Sequence, residues 1–191
     1  MQNKVPYYTL AMLVWILASC ASVTKRKSAD YYLQNKKEIN EIRKSYLDLY
    51  AQQPFSAGFT DRSFKYYVME VKTDSVRYIY NTEKNEPQVY KLISRFKYDT
   101  TKLYDMSVKM HDIKCLWISR SSFFTNDRRD SVTYLSFRSA NNQGIFVENK
   151  YYILIFLNHP TNSPMVKARL KKGDLFKIDD LVYFTIGSKF R

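Results

Sequence analysis

The sequence predicts an α+β domain, and three observations carry that expectation. Apolar residues recur at helical spacing in two stretches of the N-terminal half. From Ile113 onward the period changes to two, and the chain holds 17 Tyr and 12 Phe against only four Gly. Helical stripes followed by a run of strands describe helices packed on one face of a bent antiparallel sheet. So many aromatic side chains exclude general disorder and suit strands.

The first helix is expected from about Ser28 or Asp30, either of which can cap orphan amides. Its stripe is Ile39, Ile42, Tyr46 and Leu49, at spacings of 3, 4 and 3. Lys36, Lys37, Glu41, Lys44 and Asp48 form the opposite face, and Pro54 ends the helix. A hairpin follows, with strands Phe64–Lys72 and Val76–Asn81 joined by Thr73-Asp74-Ser75. A second helix opens at Glu86-Pro87, with Val89, Leu92, Ile93 and Phe96 as its stripe. A break near Asp99-Thr100 restarts it along Leu103, Met106 and Met110.

Strands are then expected at about 113–120, 131–139, 145–157 and 181–187, with a weaker one near 175–178. Tyr151 to Leu157 is apolar throughout, so it belongs at the centre of the sheet, covered on both faces. Asn158 to Pro164 reads as a loop. Nothing repeats and no linker divides the chain, so residues 30–191 form one domain. This element order is similar to that of the cystatin-like and NTF2-like cone folds. The similarity implies a fold and no function.

The N-terminus has a different character. Every residue from Leu10 to Ala18 is apolar, a stretch well short of the roughly 20 residues that span a bilayer. It has the proportions of a secretory signal core. The residues that close it, Leu17-Ala18-Ser19-Cys20, resemble the lipobox of bacterial lipoproteins, a resemblance covering about residues 1–22. It implies that residues 1–19 are a signal peptide and that Cys20 becomes the diacylglyceryl-modified N-terminus. A plain signal peptide cut near Ala18, an uncleaved anchor and a buried N-terminal strand are the competing readings. With about 0.8 kcal/mol for each buried methylene, two or three acyl chains anchor firmly. Ala21-Ser22, rather than an Asp, follows the cysteine. That resembles the default route to the outer membrane of the bacterial cell envelope, facing the periplasm.

The full chain carries a formal charge of +13, and Lys4 is the one charged side chain of the leader, so the mature form carries +12. Such a balance attracts anionic surfaces. Lys25, Arg26 and Lys27 lie in a basic tether over residues 20–29, where each base near an anionic membrane adds about 1 kcal/mol. A merely solvated linker is the other reading of that stretch. Lys167, Arg169, Lys171 and Lys172 form a second group ahead of Gly173. It reads either as an anion-binding patch for head groups or an acidic partner, or as the solvated end of a strand or turn. Nucleic acid is not the expected partner, because the aromatics follow strand periodicity rather than flanking the basic groups.

Chemistry is harder to find. Four scattered glycines do not build a phosphate-cradling loop, and His111 and His159 lack the further ligands of a zinc site. No Gly-x-Ser-x-Gly elbow occurs. Asp179-Asp180 falls where a hairpin turn is expected, and the charges of "FFTNDRRD" (123–130) read as pairing on a loop. Cys115, set between bulky apolar residues, is expected on one strand face with Ile113 and Trp117, as a buried inert thiol. The expected function is therefore non-catalytic, with no metal, cofactor or small-molecule substrate. It is that of a lipid-anchored periplasmic binding or accessory component of an envelope assembly, such as a secretion, transport or surface-fibre apparatus. The alternative is an immunity or inhibitor lipoprotein that neutralises a toxin or envelope hydrolase. A small hydrolase built on a cone-shaped cavity lacks the residues it needs.

Overall fold

The computed structural model describes residues 26–61, 63–75, 77–83, 94–125, 128–138 and 150–189, with Thr82 and residues 123–125, 128 and 129 described by backbone alone. Cys20, Lys25 and the stripe expected at 89–93 lie outside the described residues, as do positions 145–149 of one expected strand. The chain divides into two compact units between Asn35 and Lys36.

In the first unit, residues 26–34 form helix α1. Arg26 pairs with Asp30 one turn on, at 3.8 Å, and the Asn35 amide donates to the Tyr31 carbonyl at 2.9 Å. The tether expected through residue 29 is thus already helical at Arg26. Lys and Arg are good helix formers, and an i,i+4 ion pair supports the first turn.

The second unit holds α2 (Lys36–Gln52), β1 (Phe55–Phe59), β2 (Tyr66–Lys72), β3 (Arg77–Glu83), α3 (Thr100–Asp112), β4 (Cys115–Thr125), β5 (Arg128–Arg138), β6 (Tyr151–Leu157), α4 (Pro164–Lys172), β7 (Phe176–Lys177) and β8 (Val182–Gly187). The strands form one open sheet in the order β3-β2-β1-β4-β5-β6-β8-β7, and every pair is antiparallel. The fold is α+β. β6 sits between β5 and β8, and its apolar run is buried apart from the half-buried Ile153.

Helices α2 and α3 cover one face of the sheet. The α2 stripe Ile39, Ile42, Tyr46 and Leu49 is buried. On α3, Asp99 caps the Lys102 amide at 2.9 Å, and Leu103, Met106 and Met110 turn inward. Tyr46 meets the Phe55 ring of β1 at 5.0 Å, and His111 meets Phe59 at 6.1 Å. Two ion pairs join the helices along their rim, Lys109–Glu41 at 2.7 Å and Lys102–Asp48 at 3.2 Å. Neither outer pair adds much stability beside the apolar stripes.

Sequence and structure differ at several places. β1 was not expected: "FSAGF" is short, follows a proline and contains a glycine, yet all five residues are buried between β2 and β4. Residues 164–172, expected as loop and strand end or turn, are helix α4. Pro164 starts it and Gly173 closes it in the left-handed region at φ 77°, its amide reaching the Arg169 and Leu170 carbonyls. Helix α4 also corrects the expectation of helices on one face. Val166 and Leu170 pack against Val132, Ile155, Leu157 and Tyr183, whose register places them opposite the Leu154 and Phe156 side.

The third difference is at Cys115. A β-bulge interrupts β4 between Cys115, which faces Phe137, and Trp117, which faces Ser136. The two side chains therefore leave the sheet on opposite faces, not the same one, because the bulge adds a residue to the alternation. Cys115 is fully buried, and burial pushes its thiol well above the ordinary range. A Cys115→Ala variant is expected to lose about 1 kcal/mol in urea unfolding. The native thiol should stay unlabelled by a maleimide; rapid labelling would contradict its burial.

The β1–β2 turn has its own titratable brace. Asp61 accepts from the amides of Ser63, Lys65 and Tyr66 at 2.8–3.1 Å and from the Ser63 hydroxyl. Burial works to raise its carboxyl, but these donors outweigh it and hold the group below the usual carboxylate range. A depressed folded value contributes stability above the unfolded pKa and loses it as pH falls through the folded one. Asp61→Asn is thus expected to destabilise at neutral pH and to converge with wild type in acid; a constant difference across that range would contradict the brace.

Candidate functional site

Two surfaces of the second unit carry polar or charged groups in an arrangement that invites a ligand. The first is α4. Val166 and Leu170, four residues apart, face the sheet, so Lys167 and Lys171, also four apart, face solvent. Arg169 and Lys172 both approach Asp174, at 3.6 Å each. Among the described residues no carboxylate lies within 4 Å of Lys167 or Lys171. Bases in the last turn also suit the negative end of the helix dipole, so part of their role is to hold α4 in place. Beneath the helix a slot of about 100 Å³ is lined by apolar side chains including Val132, Ile155 and Leu175, with Arg169 among its walls. Met165, more than half exposed, stands at the first turn.

The second surface lies where α2 ends over the sheet. Tyr50, Arg120, Ser121, Ser122, Asp130, Ser131 and Asn158 line an open basin of about 430 Å³. The Arg120 guanidinium stands 5.3 Å from the Tyr50 ring centre and donates to the Ser131 hydroxyl at 2.6 Å. The Asn158 amide donates to the same oxygen at 2.7 Å. Asp130 turns one carboxylate oxygen onto the backbone amide of Ser131, at 2.8 Å. By strand alternation its side chain leaves β5 on the face opposite Ser131.

Sequence reading did not find this basin. Arg120 ends an expected strand, and Asn158 belongs to an expected loop 38 positions later. The stretch 123–130 was expected as a loop, but its ends pair as strands from Phe123↔Asp130 to Thr125↔Arg128. The register that brings Arg120 beside Ser131 follows from that hairpin.

Other sequence-predicted residues fall into place separately. Lys167, Arg169, Lys171 and Lys172 come together on one nine-residue helix. Arg26 and Lys27 are exposed on α1, in the other unit. Asp179 accepts from the Leu181 amide at 3.0 Å, and Asp180 pairs with Lys177 at 2.7 Å, the hydrogen bond and charge of which lower its carboxyl. Both act in the turn before β8. His111 packs edge-on to Phe59 and Phe64, while His159 is exposed. Among the described residues no three His, Cys, Asp or Glu converge on a point that would hold a metal ion. No described helix is long and apolar enough to cross a membrane. Compared with protein families, with curated proteins and with solved structures, the chain matches none.

Proposed function

We propose that the protein is a lipid-anchored component of the bacterial cell envelope, facing the periplasm from the outer membrane, and that it binds an anionic partner or surface without catalysis. The signal-like run ending at Leu17-Ala18-Ser19-Cys20 supports the anchor. The observation that carries the binding role is α4, which turns Lys167 and Lys171 outward and leaves Arg169 and Lys172 to share one carboxylate. An excess of exposed positive charge at a membrane draws acidic partner proteins and phospholipid head groups alike.

A form beginning at Ala21 tests the binding role apart from the anchor. It is expected to sediment with vesicles containing phosphatidylglycerol and not with pure phosphatidylcholine. Binding should fall from low salt to about 0.5 M as screening shortens the reach of exposed charges. Replacing Lys167, Arg169, Lys171 and Lys172 together by Gln is expected to weaken it by at least about tenfold, since each base contributes about 1 kcal/mol. Equal binding of the variant and wild type at every salt concentration would make α4 a solvated surface and remove this reading.

A further inference from the structure

We infer that the basin between Tyr50, Arg120, Ser131 and Asn158 is a binding site for a small oxyanion, the carboxylate or phosphate group of a polar ligand. The Ser131 oxygen accepts from Arg120 at 2.6 Å and from Asn158 at 2.7 Å, which fills both of its lone pairs. Its own O–H is then left to donate. A guanidinium has five N–H donors and a side-chain amide two, so Arg120 and Asn158 each keep donors beyond the one spent on Ser131. Three donor groups thus converge through one shared oxygen.

The cationic member is held in place. Arg120 lies over Tyr50 at 5.3 Å and is tied to β5 by Ser131, so its fork is oriented before any ligand arrives. Such preorganisation reduces the ordering cost of binding. Asp130, the carboxylate that lines the basin among the described residues, spends an oxygen on the Ser131 backbone amide and leaves the sheet on the other face. A donor-rich, cationic basin of about 430 Å³ matches a group that only accepts, and a planar or tetrahedral oxyanion takes two or more such bonds at once. This site is independent of α4, which lies against the opposite face of the sheet.

The test uses the full chain in a neutral, phosphate-free detergent buffer at constant ionic strength. Melting temperature and titration calorimetry are followed with sodium acetate in one arm and inorganic phosphate in the other, against chloride. Wild type is expected to be stabilised by at least one of the two anions, and the stronger arm identifies the group. Arg120→Gln should lose at least about tenfold in affinity, the usual cost of a hydrogen bond to a charged group. Asn158→Asp is the second variant. It is nearly isosteric, its carboxylate accepts from Arg120 and Ser131, and it should fold while abolishing the anion response. The α4 variant with Lys167, Arg169, Lys171 and Lys172 changed to Gln should keep the response. No stabilisation of wild type by either anion, an undiminished response in Asn158→Asp, or loss of the response in the α4 variant would each overturn the assignment.

Discussion

Gly58→Ala is expected to destabilise the protein by about 3 kcal/mol, at the upper end of what overpacking costs. Gly58 lies on β1 opposite Trp117 of β4 and Val68 of β2. The bulge at Leu116 drives its carbonyl oxygen toward β1. A methyl group on Gly58 would stand 1.9 Å from that oxygen and 2.7 Å from the Trp117 Cα. Both are backbone atoms, so no side-chain rotation relieves the overlap and β1 must separate from β4. Since β1 joins the β2–β3 hairpin to the rest of the sheet, separation there exposes the core under α2 and α3. Urea unfolding of Gly58→Ala against wild type reads the effect. A change below about 0.5 kcal/mol, typical of an exposed substitution, would mean that the two strands do not approach as described.

Tyr46→Ala is expected to cost about 4 kcal/mol, the range for removing a large buried ring. Tyr46 is fully buried, packs between the rings of Tyr50 at 5.6 Å and Phe55 at 5.0 Å, and donates to the Phe55 carbonyl at 2.7 Å. Burial raises its phenol well above the ordinary range, so it remains a donor at every pH at which the protein is handled. Tyr46→Phe keeps the ring and removes only the donor, which should cost about 1–2 kcal/mol. The gap between the two variants separates packing from hydrogen bonding. Equal losses would place the whole contribution in the hydroxyl and contradict the packing of α2 on β1.

Ile39, Ile42, Tyr46 and Leu49 made α2 readable, because a helix that covers a sheet must bury one stripe and expose the rest. Leu103, Met106 and Met110 did the same for α3, and Asp99 marked its start. The apolar run Tyr151–Leu157 likewise announced a central strand. What escaped was set by partners distant in the chain. β1 is stabilised by strands on both sides rather than by its own residues, so "FSAGF" carries no strand pattern of its own. Of the apolar residues of the nine-residue α4, Met165, Val166, Ala168 and Leu170, only Val166 and Leu170 pack on the sheet, so their spacing declares no single face. The bulge at Cys115 was hidden because alternation assumes an unbroken ladder. The basin is the extreme case: Arg120, Ser131 and Asn158 become neighbours only through the register of β4 on β5 and the end of β6. The basic groups, by contrast, were visible at once as sequence, and only their placement on a helix was not.

The anchor at Cys20 underlies the proposed location and brings the basic surface to a membrane, so it is the point to test most directly. The full chain is expressed in a bacterium, extracted from the membrane fraction with detergent, and its N-terminal peptide is identified by mass spectrometry. The account expects that peptide to begin at Cys20 and to carry a diacylglyceryl group on its sulfur. Cys20→Ala should leave the leader uncleaved and abolish incorporation of a labelled fatty acid. A wild-type N-terminus at Met1, or at another residue near Ala18 with an unmodified Cys20, would contradict it.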